Sequence, residues 1–145
     1  MATINPPDLT ALAGIPSQGS DVINATPEGF ITGDIPAVVT EDMTFAASQN
    51  IPARTPVGLD GSGDLIPAVL GTTPAIGMTV IAVVTPGSGA KKAAPVYRSG
   101  TFNPALVNWP ASYDTDEKKL EAFRGAPTPT TIIMRPVKTG TVTLP

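Results

Sequence analysis

Apolar residues along this chain come in short runs of strand length, cut by glycine and proline, and they settle into no sustained helical period. Ala37-Val38-Val39-Thr40 is β-branched and Met43-Thr44-Phe45 alternates apolar and polar, so each predicts a half-buried strand. Residues 55–59 (TPVGL) run into the turn cluster Asp60-Gly61-Ser62-Gly63-Asp64, and residues 65–69 leave it. That pattern is a hairpin, with its prolines at edges or strand starts because proline cannot donate to a ladder. Residues 76–84 (IGMTVIAVV) predict the longest strand, closed by a turn at 85–89, with residues 93–98 returning as its partner. After Pro127 and Pro129, residues 130–134 (TTIIM) predict a final strand.

Two helix signals interrupt this pattern. Asn103-Pro104 sets a capping side chain before a proline at the first helical position, enough for about a turn and a half. Asp114-Thr115-Asp116-Glu117 predicts an acidic capping box, with Asp114 as the cap and the first-turn acids suiting the helix dipole. The helix continues over residues 118–124, with Leu120 and Phe123 on one face and Gly125 as its stop.

Residues 1–35 differ from the rest. Pro6-Pro7, Gly14, Pro16, Gly19, Pro27, Gly29 and Gly33 recur too closely for a regular element to propagate, which predicts an arm without structure of its own in isolation. Yet Leu9, Leu12, Ile15, Val22, Ile23, Phe30 and Ile31 are more apolar than a spacer requires. Such a segment is suited to ordering against a partner by adding a strand to a sheet edge. The chain therefore divides into an arm (1–35), a β-rich domain (36–135) and a short tail (136–145).

Composition narrows the chemistry. With 145 residues, no histidine and no cysteine, the chain has no imidazole base, no thiolate nucleophile, no zinc site of the usual N/S kind and no disulfide framework. Only seven residues are aromatic, so the core relies on Val, Ile, Leu and Ala. The net charge is −3, which offers no basic face for nucleic acid. Its distribution is uneven: residues 1–64 hold eight acids against Arg54 alone, whereas residues 65–145 hold four acids against eight bases. This polarity either steers association with a partner or between copies, or makes the arm a solubilising segment. The first ten residues, MATINPPDLT, lack the basic and apolar regions of a secretory signal. Residues 65–90 are uncharged, but Pro67, Gly71, Pro74 and Gly77 cut them to strand length, against a membrane span.

Three short patterns imitate sites. Asp60-x-Ser62-x-Asp64 resembles the start of a calcium loop, but its twelfth position is Gly71 where a glutamate is needed. Gly87-Ser88-Gly89-Ala90-Lys91-Lys92 echoes a phosphate loop without its glycine spacing or following Ser/Thr, which leaves a solvated hairpin tip. Ser99 beside Arg98 has no evident base. The reading is no enzyme, no cofactor and no metal. Trp109-Pro110 stands apart as a single tryptophan in an aromatic-poor chain, either a core anchor or an interface anchor, and Phe102 shares that pair of readings.

Tyr97-Arg98-Ser99-Gly100-Thr101-Phe102, then Trp109-Pro110, then Asp116-Glu117-Lys118-Lys119 and Ala122-Phe123-Arg124-Gly125 resemble, in that order, the head decoration proteins of bacteriophage lambda and its relatives. The resemblance extends more weakly to residues 55–60 and 75–83, covering about residues 50–134. It implies a mainly β, barrel- or sandwich-like domain with one or two short helices. It further implies homotrimers on the outer surface of the phage head, at local threefold positions, reinforcing the expanded shell against packaged DNA. The implied partners are the major capsid protein and two further copies, with neither nucleic acid nor membrane contacted. In such proteins the N-terminal segment orders on the shell and joins strands of the capsid protein. Here the arm is longer and residues 136–145 run past the final strand, so arm contacts do not transfer by position. Ile31, Ile35, Val38 and Val39 are nominated as the strand-forming capsid contacts. A receptor- or carbohydrate-binding module of a tail fibre or surface protein is the alternative, and it calls for exposed aromatic platforms.

Overall fold

The structure, a computed structural model, describes residues 29–137. The apolar positions between Leu9 and Ile23, and the tail from Lys138, lie outside the described residues. Among the described residues nine strands form: β1 (Ile31–Gly33), β2 (Val39–Phe45), β3 (Asn50–Ile51), β4 (Pro56–Leu59), β5 (Leu65–Pro67), β6 (Gly77–Thr79), β7 (Val83–Val84), β8 (Lys92–Phe102) and β9 (Thr131–Met134). A 3₁₀ turn spans Pro104–Leu106, and one short helix, α1, spans Asp116–Glu121. The fold is mainly β.

β8 organises the molecule. Its first half lies between β2 and β6, both antiparallel to it, and the order β8, β2, β5, β4, β6 and back to β8 closes a five-stranded barrel. Its second half runs out of the barrel, with β1 antiparallel on the β2 side and β9 parallel on the β6 side. Burial alternates along its first half, with Ala94, Val96 and Arg98 buried and Pro95, Tyr97 and Ser99 half-buried, whereas Gly100, Thr101 and Phe102 in its second half are all buried. Phe45, Ile51, Val57, Leu65, Val83 and Val96 fill one core. Met78, Phe102, Tyr113, Phe123, Ile132 and Met134 form a second beneath the β1–β8–β9 extension.

The hairpin predicted around residues 60–64 is present, with β4 and β5 antiparallel and Leu59 opposite Leu65. Its turn explains the calcium-like spacing. Asp60 Oδ1 accepts the Ser62 and Asp64 N–H groups at 2.8 and 3.0 Å, so the carboxylate is occupied by its own loop. Those N–H groups, Asp64 first, hold the Asp60 carboxyl below its ordinary value of 3.8. The phosphate-loop look-alike is the connection from β7 to β8, and its Lys91 reaches Asp64 at 2.6 Å.

Five expectations require correction. Residues 76–84 do not form one strand: β6 ends at Thr79, the chain bends at Val80 and Ile81, and β7 pairs with β3 in a separate two-stranded sheet. The bend follows from Thr79, whose N–H and carbonyl bond Thr55 and Arg54 and whose Oγ1 donates to Pro52 O, so the strand is tied to loop 52–55. The two strands expected at 37–40 and 43–45 are one, β2, paired without a break from Thr40 to Phe45; of its residues only Phe45 is buried. Residues 29–35, read from the sequence as arm, supply β1 and the half-buried Phe30 to the domain. Thr115, not Asp114, caps α1, accepting Lys118 N–H at 3.3 Å, while Asp114 pairs with Lys118 Nζ at 2.6 Å. α1 then stops at Glu121, so Leu120 remains exposed and the following turn swings Phe123 into the core.

Asp60 and Asp114 give the fold an acid dependence. Lys118 holds Asp114 below 3.8 by a hydrogen bond and by its charge, as the loop amides hold Asp60. Depressed carboxylates contribute stability that is present above their unfolded values and lost as pH falls through the folded ones. The thermal midpoint should therefore drop between about pH 5 and pH 2. Asp60→Asn, which keeps the accepting oxygen, should flatten that slope; an unchanged slope would remove Asp60 from the account.

Candidate functional site

Half of the exposed large apolar side chains among the described residues, Ile31, Ile35, Val38, Val39, Ile133 and Val137, lie where β8 leaves the barrel. Along one side of β8 the ladder runs from β2, with Val39 opposite Ser99, to β1, with Gly33 opposite Thr101 and Ile31 opposite Phe102. Between them residues 34–38 leave the ladder, with a cis Ile35–Pro36 bond. The Ile35 carbonyl accepts Thr101 Oγ1–H at 3.0 Å, while the Ile35 side chain is 83% exposed. Val38 sits against Gly100, where an added Cβ would lie 3.2 Å from Val38 Cγ2. The four nominated residues, Ile31, Ile35, Val38 and Val39, are thus together on one side of β8, all exposed. On the other side β9 exposes Ile133, and Val137 follows it.

Both ends of the described chain meet here. Arg135 N–H donates to Phe102 O at 2.9 Å, and Thr32 Oγ1 donates to Arg135 O at 3.4 Å. β2 meets β5 only at Phe45 and Leu65, so its far edge has no strand partner from Val39 to Thr44 among the described residues. A free edge beside apolar side chains is the arrangement that accepts an added strand, and the exposed acids Asp34, Glu41 and Asp42 are the kind of charge that keeps such an edge from unspecific pairing. Glu41 also faces the buried Arg98: Oε2 lies 3.4 Å from Nε, and Arg98 Nη1 donates to Ile76 O at 2.9 Å. These contacts join β2, β8 and the start of β6 at the barrel end.

The remaining nominated residues separate. Phe102 is fully buried, its ring 4.9 Å from both Phe30 and Tyr97. Trp109 is half-buried: Nε1–H donates to Pro104 O at 2.8 Å, and its ring lies 5.4 Å from Tyr113. With Pro110, Asn50, Pro52 and Asn108 it lines a shallow depression of about 350 Å³ that holds no titratable group. A second depression, about 320 Å³, holds Asp116 and Lys119, which lie 3.7 Å from each other. Among the described residues no group of three or more His, Cys, Asp or Glu could hold a metal, and no helix is long and apolar enough to cross a membrane.

Sequence reasoning missed two parts of this surface. Ile133 lies in a strand predicted from the sequence without a facing, and it alternates with the buried Ile132 and Met134, which leaves it outward. Arg54 was legible only as the lone base of the first 64 residues, whereas the structure stacks it on Phe30, its Cζ 4.5 Å from the ring centroid.

A closed barrel with a three-stranded extension, an open acidic edge and apolar side chains gathered at the ends of the described chain defines a small β-barrel protein. The model of the bacteriophage lambda head decoration protein D family matches residues 23–130, and the chain belongs to that family. It is 38% identical over 80 residues to the head decoration protein of Enterobacteria phage P21; the match covers 54% of this chain and 66% of that relative, just under two thirds of its length.

Proposed function

We propose that this protein decorates the outer surface of a phage head, without catalysis, as trimers at local threefold positions of the expanded shell, and stabilises it against internal DNA pressure. The observation that carries this reading is the open β1–β2 edge with Ile31, Ile35, Val38 and Val39 beside it, at the point where residues 1–28 enter the domain. Strand addition there by capsid subunits needs no cavity and no cofactor. Mass action supplies the stabilisation: a ligand that binds the expanded lattice and not its ruptured state holds the lattice by its binding free energy, repeated at many sites.

Cosedimentation with expanded and unexpanded empty shells tests it, using the full chain and a deletion of residues 1–28. A deletion through residue 35 would be ambiguous, because it removes β1 and uncovers Phe102. The expected result is saturation of expanded shells near three copies per threefold position, with binding lost or greatly weakened by the shorter deletion while the domain stays folded. Full affinity without residues 1–28 would remove the arm from the mechanism. No binding to either shell, together with saturable glycan binding, would replace decoration by adhesion.

A further inference from the structure

Phe30 is the first side chain of the described segment to pack on the domain, and three elements hold it. Its ring lies 4.9 Å from Phe102 and 5.9 Å from Tyr97, its carbonyl accepts Asn103 N–H at 2.8 Å, and the Arg54 guanidinium lies over the ring at 4.5 Å. Arg54 is brought there by a fixed loop. It adopts φ 59, the left-handed region that a residue with a Cβ enters at a cost. Its N–H donates to Thr79 O at 2.8 Å and its carbonyl accepts Asn108 N–H at 2.8 Å. Around it Thr55 and Thr79 hydroxyls both donate to Pro52 O, and Asn108 Nδ2 donates to Ala53 O. Arg54 makes no ion pair among the described residues, so its charge is directed at the ring.

We infer that Arg54 and Phe30 form the anchor at which residues 1–28 join the domain, and that Arg54 thereby positions the arm for the shell without touching the shell itself. The anchor stands on the geometry above; its consequence for the shell rests on the decoration reading. β1 has three residues at the entry to the domain, the end of the stability range at which strands fray. A cation over an aromatic ring at an exposed site shifts such an equilibrium by about two- to fivefold. Fraying of β1 would release Phe30 and the direction of the preceding chain, and shell binding would then have to restore both. In a trimer engaging three arms together the per-arm factors multiply, to about ten- to a hundredfold.

Arg54→Gly is the informative variant, because glycine accepts φ 59 without strain, so the loss of the side chain that covers the ring is not confounded with backbone strain. Phe30→Leu, which keeps an apolar side chain and removes the ring, is the second variant. Hydrogen exchange of the amides at 29–33 should accelerate about two- to fivefold in either variant, with β8 protection unchanged, and Arg54→Lys should restore part of the loss. Affinity for expanded shells should fall in the same order. Unchanged exchange at 29–33 in Arg54→Gly and Phe30→Leu would overturn the anchor. Faster exchange with undiminished shell affinity would overturn the positioning role. If the unmutated protein binds no shell, the decoration reading and with it the positioning role fail, while the exchange result still decides the anchor.

Discussion

Gly58→Ala is expected to cost the domain more than ~3 kcal/mol. Gly58 lies in β4, opposite Ile66, where the barrel wall meets the chain at Thr73 and Pro74. An added Cβ would sit 2.3 Å from the Pro74 carbonyl oxygen and 2.7 Å from Thr73 Cγ2. Overpacking ordinarily costs ~1–3 kcal/mol because neighbouring side chains shift. Here the obstacle is backbone, pinned by the Ile76 N–H to Val57 O bond at 2.8 Å and by the Val69–Thr73 bridge. Relief requires opening the β4–β6 seam, and with it the barrel. Urea denaturation checks this against Gly61→Ala, where an added Cβ meets nothing within 4 Å and the change should stay within about 0.5 kcal/mol. Equal effects at the two positions would mean that the barrel wall yields.

Phe102→Ala should lower stability by about 3–5 kcal/mol, the range for emptying an aromatic site in a packed core. For a domain of this size that is a fall of roughly 10–20 °C in thermal midpoint. The side chain is fully buried and touches Phe30 and Tyr97, and its ring passes so close to Gly100 that a Cβ there would lie 2.7 Å from it. Its loss would therefore loosen β1, β8 and the aromatic cluster together. Unfolding should be followed over a range of protein concentrations, because an anchor between subunits would change the concentration dependence while an anchor within one subunit shifts every curve alike. Unchanged unfolding with lost self-association would move Phe102 from the core to an interface.

The legible parts of the fold were those in which neighbours in sequence are neighbours in space. The Asp60 turn, the Asn103-Pro104 start of the 3₁₀ turn and the TTIIM strand were read correctly because capping oxygens, φ > 0 glycines and β-branched runs act over a few residues. The capping box was read one residue early because Asp114 and Thr115 are both competent caps; Asp114 is instead engaged by Lys118 four residues on. For the candidate site, the apolar residues Ile31, Ile35, Val38 and Val39 were visible. Their gathering on one side of β8, and the open edge beside them, were not.

By itself the sequence determined that this is a mainly β chain of short strands without imidazole or thiol chemistry, carrying an acidic, proline-rich first segment and the residues by which its family can be recognised. Only the tertiary structure decided where residues 76–84 break, which face of β9 reaches the surface, and that Arg54 closes over Phe30. Strand propensity and amphipathic alternation state that a residue is half-buried, and they do not state against what. The partner across a ladder comes from elsewhere in the chain, as Tyr97 does for Met78 and Ser99 for Val39, so register, edge and exposure are fixed when the barrel closes.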